Sequence, residues 1–176
     1  NLPRTMTRPG LPDWAVWGDA DHRHNLINSI YLSEPELEKR NHMIQRKYDD
    51  IRRDEQRANT YRTEDARVLV LACNTPARMA KGAVEELRHR GHPVGLFHPV
   101  TLWPFPVDAL RSAMEQVTDL VIVEASAGQL EDETRLALSK AGVAAPRIHS
   151  LRRMGGILPQ EDEILSRVES VLEVTS

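Results

Sequence analysis

Cysteine is nearly absent from this chain: Cys73 is the single one among 176 residues. One thiol forms no internal disulfide and, without a Cys-x-x-Cys pair, supplies no self-contained iron–sulfur or zinc–thiolate site. Any redox cluster would have to sit on another chain. Positive charge is also in short supply, since 23 Lys and Arg face 26 Asp and Glu, for a formal net charge of -3. No basic field favours nucleic acid or an anionic membrane as a partner. No apolar run approaches the ~20 residues that span a bilayer, and no secretory leader opens the chain, so a cytoplasmic protein is expected by default. Gly-x-Gly-x-x-Gly and Gly-Lys-Ser are missing, which leaves dinucleotide and nucleoside-triphosphate sites without support. The first residue is Asn1 and not Met, and the expectation is a chain cut from a longer polypeptide.

A composition of 40% hydrophobic and 28% charged residues suits one folded domain with an appendage. The carboxy-terminal part repeats one pattern: a short β-branched apolar run, a punctuated loop, then a helix of period near 3.6. Strands are predicted at Arg67 to Ala72, Val94 to His98, Leu120 to Glu124 and, more weakly, Arg147 to Leu151. The first helix is predicted to take Thr75 as N-cap and Pro76 as first residue, with Ala80, Ala83, Val84 and Leu87 buried and Gly91 as stop. The next runs over about Val107 to Val117, another carries Leu130, Leu136 and Leu138, and a last one follows Pro159. Alternating strands and helices imply right-handed crossovers and an α/β fold: a three-layer, mostly parallel sheet. The loops expected to gather along the ligand edge are 73–76, 99–106, 124–128 and 152–159.

The first third of the chain differs. A dense mixed-charge helix is predicted from Ser33 to Ala58, with Glu36–Arg40 and Asp49–Arg53 at i,i+4 spacing and a narrow stripe of Leu37, Ile44, Tyr48 and Ile51. Residues 1–33 hold Leu11, Trp14, Trp17, Leu26, Ile27 and Leu32. Ordering that arm costs ~1 kcal/mol or more per residue, so it is expected to be disordered alone or laid across another subunit. The division expected is an arm, or the end of a preceding domain, over 1–33, a linking helix over 34–65 and an α/β domain over 66–176.

The loop Pro99-Val100-Thr101-Leu102-Trp103-Pro104-Phe105-Pro106 carries far more rigid apolar surface than an ordinary polar connection. Trp103, Phe105, Trp14 and Trp17 are read as contact residues for another protein surface. Chemistry is less well supplied. Asp19, Asp21, His22 and His24 crowd six residues, but nothing fixes their geometry, and a polar turn is favoured over a metal site. Cys73 precedes a helix start, where thiolates are stabilised. Only four residues separate it from Arg78, one short of a phosphatase loop, so a small strand-end residue is favoured. Thr75, Arg78 and Lys81 form a candidate anion site at the helix start. Glu124 and His98, at strand ends, have no second titratable partner fixed by spacing, and no catalytic residue is assigned. An Asp at the end of the third strand, needed by a receiver domain, is replaced by Glu124.

Several of these runs together carry a resemblance. Val68-Leu69-Val70-Leu71-Ala72-Cys73-Asn74-Thr75 with Arg78, Ala80 and Lys81, then Val94 to Pro106, Val121-Ile122-Val123-Glu124, Gly128-Gln129-Leu130 and Arg153-Met154-Gly155-Gly156-Ile157-Leu158-Pro159, resemble the carboxy-terminal domain of the alpha subunit of 2-oxoacid:ferredoxin oxidoreductases. Gly18-Asp19-Ala20-Asp21-His22 and the charged helix resemble the preceding linker, although Arg23 and His24 stand where a glutamate often follows. Cys73-Asn74-Thr75 replaces the family's usual Gly-Ser-Thr.

The resemblance implies a transketolase C-terminal-domain-like fold, with five strands, one of them antiparallel, serving mainly subunit contact. It implies an enzyme of the pyruvate or 2-oxoglutarate type that converts a 2-oxoacid and coenzyme A to acyl-CoA and CO2 and reduces ferredoxin. Thiamine diphosphate, iron–sulfur clusters and CoA belong to the whole enzyme, with none bound by this chain alone. Implied partners are a thiamine-diphosphate-binding beta subunit, gamma or ferredoxin-like subunits and ferredoxin, in a dimeric assembly. The alternative from another class is a free-standing flavodoxin-like module that binds an anionic small molecule at the Thr75/Arg78 helix start.

Overall fold

A computed structural model of the protein describes residues 12–16 and 18–175. Leu11 and Trp17 lie outside them. The chain divides into two compact units, Asn1–Arg46 and Lys47–Ser176. In the first, Asn25 ties a single 3-10 turn at Arg23–Asn25 to the preceding strip by donating from Nδ2 to the main-chain oxygens of Asp13 and Ala15, at 2.5 and 3.1 Å. None of the described residues from 12 to 33 is buried, so this strip builds no core of its own.

Helix α1, Glu34–Asp54, opens with acidic Glu34 and Glu36 and ends with Arg52 and Arg53, matching the helix dipole at both ends. It buries no residue. The ion pair expected between Asp49 and Arg53 is replaced by Asp49–Arg52 at 2.7 Å, three residues apart, while Arg53 pairs with Asp50 and Asp54. The helix also stops short of Ala58. Ala58–Tyr61 instead forms strand β1, antiparallel to β3, so these residues belong to the sheet and not to the linking helix. The mixed-polarity Ala-Asn-Thr-Tyr edge gives no apolar run to announce it.

The rest of the second unit alternates β2 (Val68–Ala72), α2 (Asn74–His89), β3 (Val94–Pro99), α3 (Val107–Ala113), β4 (Asp119–Glu124), α4 (Gln129–Lys140), β5 (Arg147–Arg152) and α5 (Glu161–Thr175). The strand order is β1-β3-β2-β4-β5, with every pairing parallel except β1 with β3. This is the three-layer α/β sheet expected. β2 and β4 are buried along their whole length, as continuous apolar runs in a sheet covered on both faces require. One face presents Val68, Val70, Leu96, Val121 and Val123 to the Ala80-Ala83-Val84-Leu87 stripe of α2 and to Ile164, Val168 and Val171 of α5. The other presents Leu69, Leu71, Phe97, Leu120 and Ile122 to α3 and α4.

Local expectations fail where side-chain and main-chain bonding compete. Helical bonding of α2 begins at Cys73, whose carbonyl accepts the Ala77 N–H at 3.4 Å, and Thr75 is inside the helix and not its cap. Asn74, the first residue of α2, is left-handed at φ 55°, a conformation that asparagine tolerates better than most residues. α3 ends at Ala113, because the Met114 N–H is shared between the carbonyls of Leu110 and Arg111 and a turn follows. In α4 the buried stripe is Leu130, Thr134 and Leu138, and Leu136 faces outward. Thr134 is tolerated there because its hydroxyl donates to the Leu130 carbonyl at 2.7 Å.

Arg88 of α2 closes the connection between β1 and β2. It donates from Nε to the Val94 carbonyl at 2.5 Å and from Nη2 to the Arg62 carbonyl at 2.6 Å, and it pairs with Asp65 at 2.8 Å. Arg62, itself left-handed at φ 55°, is thereby pressed onto Gly95.

Candidate functional site

The chain leaves β2 toward α2 on one face of the sheet and leaves β4 toward α4 on the other. The two exits diverge and open a crevice at the carboxyl ends of the strands, the usual place for a ligand or partner in such a sheet. A cleft of about 500 Å³ lies there. All four loops expected along this edge reach it: Cys73 to Pro76 after β2, Leu102 and Trp103 after β3, Glu124 to Ser126 after β4, and Leu158 after β5.

Glu124 closes the cleft floor and is 2% exposed. Its carboxylate accepts the main-chain N–H groups of Gly128 at 3.2 Å, Leu130 at 3.0 Å and Glu131 at 3.3 Å, and the Ser126 hydroxyl. An ionised carboxylate at a helix start satisfies amides that have no partner inside the helix and sits favourably in its dipole. Gly128 makes the turn possible at φ 125°, where a side chain would be strained and would meet the Arg152 guanidinium. Glu124 is therefore committed to α4. Its partners Ser126 and Gly128 were missed by sequence reasoning, although Glu124-x-Ser126-x-Gly128 between a strand and a helix is a legible capping pattern.

Cys73 is half-buried in the same wall. Burial, and then the negative charge of Glu124, push its thiol above the usual range, the reverse of what a nucleophilic thiolate needs.

Two ionic clusters, each built on a buried carboxylate, hold the outer strand β5, one beside this site and one at the opposite, amino end of the sheet. Glu131 of α4 accepts Arg152 Nη2 at 2.6 Å, Arg135 Nε at 2.8 Å and the Ser150 hydroxyl. The Ser150 bond, with the two arginines, outweighs burial and brings its carboxyl down to about 2. Asp119 of β4 is 1% exposed. Burial alone would raise it, but bonds from Arg147 at 2.8 and 2.9 Å, His149 at 2.8 Å and Thr118 at 2.8 Å bring it to about 2.

The expected contact residues separate. Phe105 is a core residue, 6% exposed and packed with Leu69, Phe97 and Leu110; an aromatic flanked by prolines here fills the domain interior instead of reaching a partner. Trp103, after which the peptide to Pro104 is cis, is 51% exposed. Tyr48 meets it edge-on with centroids 5.4 Å apart, and the Arg52 guanidinium lies 5.7 Å from its ring. These two supports sit four residues apart on α1, a spacing that puts them on one helix face. Leu102, Met154, Ile157 and Leu158, all substantially exposed, accompany Trp103 along the carboxyl edge of the sheet. Trp14, in the first unit, is 78% exposed.

The candidate anion residues are divided. Thr75 lines the strand-end cleft, which also carries Glu124 and Glu133 and no basic residue. Arg78 and Lys81 line a different cleft with Tyr61 and His98. Asp19 and His22 form a self-contained turn, in which Oδ1 of Asp19 meets the His22 N–H and Nδ1 at 2.8 Å each. Those bonds draw the Asp19 carboxyl below its ordinary range. Among the described residues, no group of three His, Cys, Asp or Glu side chains is placed to hold a metal ion.

Comparison with known proteins explains this architecture. Residues 66–164 match the family described as pyruvate:ferredoxin oxidoreductase core domain II. The chain is 35% identical over 158 residues to the ketoisovalerate oxidoreductase subunit VorB of Methanothermobacter thermautotrophicus, an alignment covering 90% of this chain and 44% of that subunit. It therefore spans less than half the length of this curated relative. Among solved structures it is similar to the 2-oxoglutarate:ferredoxin oxidoreductase from Magnetococcus marinus with 2-oxoglutarate, coenzyme A and succinyl-CoA bound. There the TM-score is 0.65 at 19% identity, over 80% of this chain and 24% of that one. A split-gene transketolase, an inactive beta4 tetramer, shares the fold with a TM-score of 0.56 at 15% identity, over 68% of this chain and 43% of that one. The fold is that of a transketolase C-terminal domain. The chain belongs to the pyruvate:ferredoxin oxidoreductase core domain II family and is a region homologous to the alpha subunits of 2-oxoacid:ferredoxin oxidoreductases.

Proposed function

We propose that this region is the assembly domain of an enzyme that oxidatively decarboxylates a 2-oxoacid, joins the acyl group to the coenzyme A thiol, releases CO2 and passes the electrons to ferredoxin. The observation that carries the reading is the strand-end cleft. Its most buried carboxylate is spent on capping α4, its one thiol is held protonated, and its rim is an exposed apolar edge centred on Trp103. Such a surface buries well against a partner and has no acid–base pair for chemistry.

The residues present do not fit an iron–sulfur cluster, which takes several thiolates where this chain has one. Thiamine diphosphate supplies the carbanion chemistry when bound, and the proposed holder is a beta subunit. Gamma or ferredoxin-like subunits carry the clusters, CoA binds outside this chain, and the complex works in the cytoplasm on ferredoxin. No helix among the described residues is long and apolar enough to cross a membrane. The related subunit is a ketoisovalerate enzyme and the solved neighbour a 2-oxoglutarate enzyme, so the substrate class proposed is a 2-oxoacid with no choice of side chain.

The test is anaerobic co-purification from the native source with a tag on the natural polypeptide that contains this sequence. A brown complex that reduces ferredoxin with a 2-oxoacid and CoA is expected, and a colourless protein without partners would overturn the reading. Trp103→Ala in that complex is expected to weaken subunit association about tenfold or more, as loss of a central aromatic anchor does.

A further inference from the structure

A second cleft adjoins the strand-end site across the first residue of α2, Asn74, which lines both. The period of two along a strand pairs Asn59 and Tyr61 of β1 with His98 and Leu96 of β3. Leu96 and Tyr61 pack with the core beneath α2, which puts Asn59 and His98 on the same face of the sheet. Along α2, Asn74, Arg78 and Lys81 fall on one stripe at helical spacing and face them. Together they line a cleft of about 410 Å³.

The charge in this cleft has one sign. Arg78, Lys81 and His98 line it, and no Asp or Glu does. Among the described residues, no carboxylate is paired with Arg78 or Lys81. Lys81 instead rests its Nζ 5.1 Å from the centroid of the Tyr61 ring, and the Tyr61 hydroxyl donates to Glu85 at 3.2 Å. Glu85, one turn further along α2, is thus engaged at the far end of the phenol. What distinguishes Arg78 and Lys81 is that the two line one cleft with no acidic side chain, in a chain of net charge -3. A guanidinium offers a planar fork of donors and an ammonium a compact point charge, and the two together suit the oxygens of a doubly charged anion. Asn59 adds a neutral donor at the rim.

We propose that this cleft binds a phosphate group, either as the free ion or as the phosphate of a nucleotide, through Arg78 and Lys81 with His98 beside them. Thr75 takes no part, since it faces the other cleft with Glu124 and Glu133. The site is independent of the assembly role.

The test is titration of the isotope-labelled 176-residue chain at low ionic strength with inorganic phosphate and, separately, with ADP, each against chloride at matched ionic strength. Saturable amide shifts are expected at Asn59, Ala77, Arg78, Lys81 and His98, with Ser126 and Leu130 unmoved. Arg78→Ala and Lys81→Ala should each weaken binding about tenfold, as loss of one charge-assisted contact does, with unchanged melting temperature. Arg78→Lys should recover part of the loss. Tighter binding of ADP assigns a nucleotide, and equal binding assigns the free ion. Shifts that chloride reproduces, shifts centred on Thr75 and Ser126, or unaltered affinity in both alanine variants would overturn the proposal.

Discussion

The Glu124 carboxylate at the end of β4 accepts the main-chain N–H of Leu130, two residues into α4, at 3.0 Å. It turns the strand end into the helix cap, so the cleft floor and α4 are stabilised by one group. Glu124→Gln keeps the shape but loses the charge and turns one acceptor into a donor facing amides. A loss of ~1–3 kcal/mol is expected, read as a lower urea midpoint at unchanged slope. An unaltered midpoint would contradict the capping role.

Acid should loosen β5 late. Asp119 and Glu131 have folded-state values of about 2, against 3.8 and 4.5 for the free groups. Lowered carboxyl values stabilise the fold above the unfolded values, and that contribution disappears as pH falls through about 2. The upper limits are about 2 kcal/mol for Asp119 and about 3 kcal/mol for Glu131, less what solvent screens at the exposed arginine partners. The melting temperature should hold from pH 7 to near 4.5 and then fall. Asp119→Asn should flatten part of that fall.

Two glycines are expected to respond differently to replacement by alanine. At Gly95 an added methyl would lie 2.7 Å from the Arg62 carbonyl oxygen and 3.0 Å from the Ala66 Cβ, and neither can move without shifting backbone. Gly95→Ala is expected to cost ~1–3 kcal/mol. At Gly82, within α2, the nearest atom is the Glu161 carboxylate at 2.6 Å, the free end of a flexible side chain. There the gain of ~0.5–1 kcal/mol from removing a helical glycine should offset the displacement. Thermal melts of the two variants should fall on opposite sides of a line drawn about 1 kcal/mol below the parent.

Cys73 should be sluggish. With its thiol raised by burial and by Glu124, alkylation by iodoacetamide at pH 7.5 is expected to run slower than that of free cysteine. Glu124→Gln should speed it, because one of the two causes is removed.

Most of the sheet was legible because β2 and the middle of β4 are unbroken apolar runs and their helices carry clean 3.6-residue stripes. β1 was not, because Ala58-Asn59-Thr60-Tyr61 is half polar and is recruited by pairing with β3, a long-range contact that leaves no local trace; only the family resemblance implied a fifth, antiparallel strand. Phe105 and Trp103 stand two apart in one loop, yet one is interior and the other half-exposed, a choice made by the packing of α3. The strand-end cleft could be placed from loop positions alone. The division of Thr75 from Arg78 and Lys81 could not, since it depends on which side of α2 each residue faces.

The two outer strands of the sheet bear on how the protein avoids clumping. β1 is four residues long, runs against its neighbour and is half polar, while β5 carries Arg147, His149 and Arg152 on a half-exposed strand. Short and charged borders make poor templates for another chain's backbone. Growth of the sheet from molecule to molecule is thereby discouraged at both margins, and the loops at the strand ends remain free to meet a partner without inviting fibres.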